Sequence, residues 1–379
     1  MSDRRNFILY PVSLIYGLIT RFRNFLYNVK ILPSSEFSIP VICIGNITVG
    51  GTGKTPHTEY ITELLQKQFK VAVLSRGYKR TSSGFKIITA LSTVAEAGDE
   101  SLQIARKFPN ALVAVDKNRK NGIKKIIESY PEIEVILLDD AFQRRQITPG
   151  LSILLTDFGR LMTRDCMLPY GNLRENVSNI RRADIIIVTK TPVDINPTQK
   201  EIIEKEINKA PYQNIFFTSV KYNRPDPVFR IDNLSSELDF LPKPDFSKPD
   251  LTGILLVTGI ANPRPFKEFI KTIANEIVHL QYSDHYKFKE KDIATISKSF
   301  AKLKSPVKYI ITTEKDSVKL KEFTNFIDSL KNKVYYFPIS INFLNDHKNN
   351  FDKLIIEYVR KHIEHNTLCC KYDYPHKTL

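Results

Sequence analysis

The residues best equipped for chemistry fall in one run, Gly45-Asn46-Ile47-Thr48-Val49-Gly50-Gly51-Thr52-Gly53-Lys54-Thr55-Pro56. The run leaves an apolar strand-like segment, Val41-Ile42-Cys43-Ile44, and enters a stretch of helical spacing from Thr55 to Lys67. This is the setting of a phosphate-binding loop. Small residues let the backbone N–H groups from Thr48 through Val49, Gly50, Gly51, Thr52 and Gly53 converge on phosphate oxygens. Lys54 would reach the β- and γ-phosphates, and the Thr55 hydroxyl would ligate Mg2+ at a helix N-terminus whose dipole favours anions. Thr48 stands where the GxxxxGK[ST] pattern has its first glycine. The competing reading is a glycine-rich turn without a ligand, and the strand–loop–helix context leaves it little room.

A nucleotide site of this kind needs a carboxylate at the end of a neighbouring strand. Val135 to Leu138, followed by Asp139-Asp140, supplies one. Side chains alternate along a strand, so the two acids leave its end in different directions and serve different tasks. One of them would hold Mg2+ directly or through water, and the sequence leaves open which.

The elements that must position these residues are visible as continuous apolar runs at 41–44, 71–74, 135–138, 153–155 and 185–188, separated by stretches of helical spacing such as 55–67 and 118–129. Runs of this kind suit strands buried on both faces of a parallel sheet, which predicts an α/β, doubly wound architecture. Five prolines interrupt residues 222–250, read as a linker. A second α/β series follows, with strand-like runs at 254–257, 307–311 and 334–337 and a last helix from about Phe351 to His362. The expected organisation is an N-terminal helix over 1–30, a phosphate-loop domain over 31–221, the linker over 222–250 and a second α/β domain over 251–379. The last helix of the second domain is free to pack back on the first.

The chain has 379 residues and a formal net charge of +15, which points to an anionic partner: nucleic acid, an acidic membrane surface or a phosphorylated small molecule. Its four cysteines, Cys43, Cys166, Cys369 and Cys370, show no CxxC spacing, so a reduced, cytosol-facing protein is expected. Asn6 to Thr20 carries no charge, but fifteen helical residues span only about 22 Å against a hydrocarbon core of about 30 Å. No small-residue cleavage site follows, which argues against a signal peptide. Leu14, Ile15, Leu18, Ile19, Phe22, Phe25 and Leu26 fall on one side of a helix, with Ser13, Gly17, Thr20, Arg21 and Asn24 on the other. Such a stripe lies either in a headgroup layer or on the chain's own core, and patterning alone does not choose.

The phosphate loop, together with Ser75-Arg76-Gly77-Tyr78, Gly98-Asp99-Glu100, Asp139-Asp140-Ala141-Phe142-Gln143, Leu168-Pro169, Leu173-Arg174-Glu175, Arg182-Ala183-Asp184, Val188-Thr189-Lys190, Thr258-Gly259, Asp284-His285-Tyr286 and Thr312-Thr313-Glu314-Lys315-Asp316, resembles the lipid A 4′-kinase (tetraacyldisaccharide 4′-kinase) family. The resemblance implies transfer of the γ-phosphate of ATP, with Mg2+, to the 4′-hydroxyl of an acylated glucosamine disaccharide 1-phosphate. It implies two α/β/α domains joined by a β-ribbon, with no obligate protein partner. It also implies an N-terminal helix seated at the cytoplasmic face of the inner membrane. Asp99 and His285 would then be a catalytic dyad drawn from both domains, and Arg174 and Glu175 a pair that steadies phosphate charge and supports metal or water. Arg119 and Gln143 would line the nucleotide site, while Arg76 and Tyr78 either contact the acceptor or cap a strand end. From local pattern alone, Asp99 reads as a helix N-cap and His285 as a loop residue. Two departures stand out: Ala141 replaces a usual glycine, and Arg144 stands where many members carry histidine.

A phosphate-loop ATPase switch at a membrane is the alternative function; its deviant loop carries an early second lysine, and Gly50 and Gly51 occupy that stretch here. A nucleic-acid adaptor is disfavoured because the lysines are dispersed and no basic helix or RNA-recognition signature is present.

Overall fold

The computed structural model describes residues 7–229, 244–323, 328–345 and 347–372. The strands are β1 (Val41–Gly45), β2 (Val71–Ser75), β3 (Lys86–Ile88), β4 (Leu112–Val115), β5 (Val135–Asp139), β6 (Leu151–Asp157), β7 (Ile185–Thr189), β8 (Asn214–Tyr222), β9 (Asp226–Pro227), β10 (Thr252–Thr258), β11 (Glu276–Gln281), β12 (Val307–Thr313), β13 (Val334–Phe337) and β14 (Ile339–Phe343). The α-helices are α1 (Tyr10–Asn28), α2 (Lys54–Leu65), α3 (Val94–Ala97), α4 (Asp99–Lys107), α5 (Arg119–Ser129), α6 (Pro197–Ile207), α7 (Arg264–Ile270), α8 (Glu290–Ala301), α9 (Glu314–Leu320), α10 (Asp328–Lys331) and α11 (His347–Tyr372).

Every residue of β1, β2, β5 and β7 is buried, the signature of strands covered on both faces. They build a nine-stranded sheet of order β14-β8-β7-β6-β1-β5-β2-β4-β3, parallel except at its two edges. One core lies between this sheet and the layer holding α2, α4 and α11, and a second core fills the opposite face. The chain order reverses beside β1, which pairs with β5 on one side and β6 on the other. Crevices at such a switch point, beyond the carboxyl ends of the strands, are where open α/β sheets bind ligands. Here Ile44 lies level with Asp139, so the glycine-rich loop and the paired aspartates emerge side by side.

A second, five-stranded sheet has the order β11-β10-β12-β13-β9. Of residues 251–379, β10 to β13 belong to this sheet, whereas β14 pairs with β8 and α11 covers the first sheet through Phe351, Ile355 and Val359. Val318 of α9 also joins the first sheet's core, so the two layers meet along α4 and α9. Within the 222–250 linker, and its expected β-ribbon, residues 230–243 lie outside the described residues.

Among the described residues no helix is long and apolar enough to cross a membrane. The face that α1 turns to the protein is the polar one. Ser13 donates to the Met167 carbonyl at 2.7 Å, Tyr16 to the Arg174 carbonyl at 3.0 Å, and Asn24 is buried. Leu14, Ile15, Leu18, Ile19, Phe22 and Phe25 are all more than half exposed. The stripe therefore does not cover the chain's own core. Cys43 is a buried thiol, and the side chains of Cys369 and Cys370 lie outside the described residues.

Candidate active site

The phosphate loop is held open from beneath by its own residues. The Asn46 amide donates to the Thr52 hydroxyl at 2.8 Å and accepts from Lys54 Nζ at 3.4 Å. Gly53 adopts φ 85° as the N-cap of α2, a left-handed conformation that glycine reaches without the strain of a Cβ. The loop also rests on neighbours. Val49 N–H donates to the Asn172 carbonyl at 2.8 Å, Arg174 N–H to the Ile47 carbonyl at 2.7 Å, and the Gln143 amide to the Asn46 carbonyl. Lys190, paired with Asp157 at 2.6 Å, donates to the Gly51 carbonyl, and Arg160 donates to the Val49 carbonyl at 2.6 Å. Arg160 and Asp157 were missed in the sequence. Their role is tertiary support of a loop about 110 residues earlier, and no local spacing announces it.

Lys54 and Arg174 converge on Asp140, at 3.5 and 3.6 Å from its two oxygens. Burial opposes the charge of Asp140, but Lys54, Arg174 and Arg119 outweigh it and hold the carboxyl below its ordinary value. Asp139 shows the opposite balance. Burial raises it, the Glu100 and Asp140 carboxylates raise it further, and Lys54 and a 3.1 Å hydrogen bond from Thr58 only partly compensate. The positive φ in this turn, 51°, belongs to Asp140 and not to Ala141. Alanine at 141 is therefore no obstacle.

The end of β5 fits a divalent cation. Asp140 Oδ1 is buried and receives no hydrogen bond. Asp139, next to it, is pushed up by two neighbouring carboxylates, which an added cation would relieve. Mg2+ takes one or two carboxylates and completes its shell with water and phosphate oxygens. Among the described residues no cluster of three or more His, Cys, Asp or Glu forms a cage of its own.

Several expected residues take places that their local sequence does not reveal. Arg119 is buried beneath the strand end, donating to the carbonyls of Asp116 at 2.6 Å and Asp139 at 3.0 Å. Burial brings its guanidinium down to about 10, against the opposing pull of Asp139 and Asp140. Glu175 turns away from Asp140 and is buried against Arg182, which also covers the Phe142 ring at 4.3 Å. Of the Arg174–Glu175 pair, only Arg174 reaches the paired aspartates.

Asp99 is the first residue of α4, one position past the N-cap. That cap is Gly98, at φ 79°, where a Cβ would stand 2.7 Å from the Tyr78 carbonyl oxygen. From there Asp99 Oδ1 accepts from the Glu100 N–H at 3.1 Å, and the same carboxylate faces His285, whose Nδ1 lies 2.8 Å from Oδ2 and 3.1 Å from Oδ1. His285 follows β11 in the second sheet's layer and holds φ 53°, an uncommon conformation that costs about 1–3 kcal/mol and collects at functional sites. The Tyr78 ring sits edge-on to the imidazole at 4.8 Å. Burial works against the Asp99 charge, but the His285 hydrogen bond and the Lys315 ammonium win and hold its carboxyl at about 2. Asp99 is thus a permanent carboxylate at neutral pH. Its neighbour Glu100 is the largest charge acting to raise Asp139, which ties the dyad to the nucleotide end of the site.

The tetraacyldisaccharide-1-P 4′-kinase family model matches residues 5–360. A tetraacyldisaccharide 4′-kinase of Bacteroides thetaiotaomicron is 47% identical over 362 residues, covering 95% of this chain and 94% of its own. One from Porphyromonas gingivalis is 36% identical, covering 93% and 98%. The fold matches the LpxK crystal structure from Aquifex aeolicus in complex with ATP with a TM-score of 0.69 and 26% identity, covering 93% of this chain and 98% of that one. With the match running from the N-terminal helix to α11, the chain belongs to the tetraacyldisaccharide-1-P 4′-kinase family.

Proposed function

We propose that the protein transfers the γ-phosphate of ATP to the 4′-hydroxyl of a tetraacylated glucosamine disaccharide 1-phosphate, a step of lipid A biosynthesis, at the cytoplasmic face of the inner membrane. The observation that carries this reading is the Asp99–His285 contact. A buried, ionised carboxylate and an imidazole from two different sheets meet at 2.8 Å, one residue from the charge that acts on Asp139.

The loop amides at Gly50, Gly51 and Gly53 cradle the phosphates, while Val49 N–H stays on the Asn172 carbonyl and Thr52 N–H on the Gly50 carbonyl; Lys54 leaves Asp140 to meet the β- and γ-oxygens. Arg174 steadies the equatorial oxygens of the phosphoryl group in flight. Thr55 and the Asp139–Asp140 pair would hold Mg2+, which would supply charge neutralisation at the β- and γ-phosphates. As the bond from the acceptor oxygen to phosphorus forms and the bond to the β,γ-bridging oxygen breaks, Asp99 takes the hydroxyl proton and ADP departs. His285 holds the carboxylate in place through Nδ1.

The test is ATP turnover with detergent-dispersed tetraacyldisaccharide 1-phosphate, with the product weighed by mass spectrometry. A gain of one phosphate on the lipid is expected. Hydrolysis that ignores the lipid and leaves it unphosphorylated would instead favour an ATPase switch.

The apolar face of α1 supports a seat at the membrane surface. Fully burying a Leu, Ile or Phe side chain gains roughly 1.5–3 kcal/mol, and six such residues face outward together. Leu18→Asp combined with Phe22→Asp touches none of the contacts that dock α1 on the protein. The double variant should fold normally yet lose most of its cosedimentation with anionic vesicles. Unchanged partition would exclude α1 as the anchor.

A further inference from the structure

We infer that Lys315 is a positioning residue for the transfer reaction, fixing the hydrogen-bonding state of His285 and joining the head of α4 to the second sheet's layer. The inference rests on the kinase reading above. Lys315 is the second residue of α9, a helix started by the Thr313 side chain, which accepts from Asp316 N–H. Its Nζ lies 3.0 Å from His285 Nε2, 3.4 Å from Glu100, 3.4 Å from Asp284 and 3.9 Å from Asp99. One largely buried cation on α9 thus serves three carboxylates and an imidazole contributed by α4 and the turn after β11.

The direction of the shortest contact follows from chemistry. An ammonium has three hydrogens to give and no lone pair, so Nε2 must accept. The ring hydrogen then sits on Nδ1 and points at Asp99. Burial opposes the Lys315 charge, but Glu100, Asp99 and Asp284 more than offset it and hold the ammonium above the ordinary lysine value. Lys315 and Asp99 therefore grip opposite edges of the same ring, and the ring can neither flip nor take a second hydrogen without breaking a contact. Without Lys315, three carboxylates would crowd His285. The remaining cations are poorly placed to replace it: Lys319 is engaged by Asp316 at 2.6 Å, and Lys79 donates to the His285 carbonyl.

The experiment compares full-length parent, Lys315→Met and Lys315→Arg. In the unliganded protein at pH 7.5, nitrogen NMR of His285 should show hydrogen-bearing Nδ1 and accepting Nε2 in the parent, and lose that pattern in the methionine variant. In the lipid phosphorylation assay, the methionine variant should lose roughly 10–100-fold in kcat with KM for ATP nearly unchanged. Removing the cation also lets Asp99 take a proton at higher pH, so an acid limb absent from the parent should enter its pH profile. Arginine, which keeps charge and donors, should restore the ring pattern and most of the rate. An unchanged ring pattern in the methionine variant, or equal losses in both variants with no acid limb, would overturn the inference. If the methionine variant does not fold, the arginine variant decides: keeping the ring pattern supports the role and losing it refutes it. A parent that phosphorylates no lipid would refute the kinase reading, while the ring pattern still judges Lys315.

Discussion

Lys54→Ala is expected to lower kcat by at least about 10³-fold, the largest single effect in the protein. In the structure the ammonium is parked between Asp140 at 3.5 Å and Asn46 at 3.4 Å, where it helps hold Asp140 ionised. Its removal acts twice. The transferring phosphoryl group loses a cation placed for its developing charge. The aspartate pair also loses the charge that keeps both carboxyls from rising, so Asp139, already raised by burial, Glu100 and Asp140, rises further and becomes a poorer Mg2+ ligand. Weakened ATP binding should accompany the lost rate, with the stronger deficit at lower pH, where Asp139 is more protonated. Lys54→Arg should rescue little, because a planar fork does not fit a seat shaped for a point charge. The measurements are kcat from single-turnover transfer and ATP affinity by calorimetry, with thermal unfolding as a control. A variant that retains a tenth of parental kcat would remove Lys54 from the chemistry.

The phosphate loop was legible in the sequence because its information is local: glycines where backbone amides must crowd an anion, with the lysine and threonine opening the next helix. Strands β1, β2, β5, β6 and β7 of the first sheet and β10, β12 and β13 of the second were legible because burial on both faces writes itself as unbroken apolar runs, whereas β3, β4, β8, β9, β11 and β14 were not. What escaped was information that becomes physical only after folding. Asp99 and His285 are 186 residues apart, and each alone resembles an ordinary cap or loop residue; the resemblance to a known family supplied their pairing. Gly98 explains why the cap reading fails, since it occupies the N-cap and leaves Asp99 one residue into the helix, its carboxylate shared between the Glu100 N–H and His285. Arg174 and Glu175 are adjacent in sequence but face opposite ways, one to Asp140 and the other to the half-buried Arg182.

The N-terminal helix carries the same lesson. Its periodicity was plain, and the question it left was which stripe meets the protein. A hydrophobic face usually turns inward. The docking contacts of α1 include Ser13, Tyr16 and Asn24, polar groups that reach backbone carbonyls and a side-chain amide of the segment between Met167 and Asn179. Because Arg174 and the loop-bracing Asn172 lie on that segment, the helix with the exposed apolar face rests directly on the residues that shape the phosphate site. A lipid headgroup approaching along α1 would therefore arrive beside the site.

Asp99→Asn should lower kcat by roughly 10²–10⁴-fold while leaving ATP affinity near the parental value, because the amide keeps the shape and removes the proton acceptor. The pH behaviour separates this role from a structural one. Asp99 is held at about 2 against an ordinary value of 3.8, so the charged form, and the activity that depends on it, is present above that pH and lost only as pH falls through it. The parental profile should thus show no limb from Asp99 at any pH where the protein is assayed. His285→Ala deletes the hydrogen bond that does most to lower Asp99 and leaves burial, which raises it, less opposed. A limb should then appear at higher pH in the His285→Ala profile and vanish again in the His285→Ala/Asp99→Asn double variant, whose residual rate no longer depends on that carboxylate. Because the two residues act as a unit, the double variant should be scarcely slower than Asp99→Asn alone. Fully additive losses would mean that Asp99 and His285 work separately, and an Asp99→Asn enzyme with a tenth of parental kcat would mean that the acceptor's proton leaves by another route.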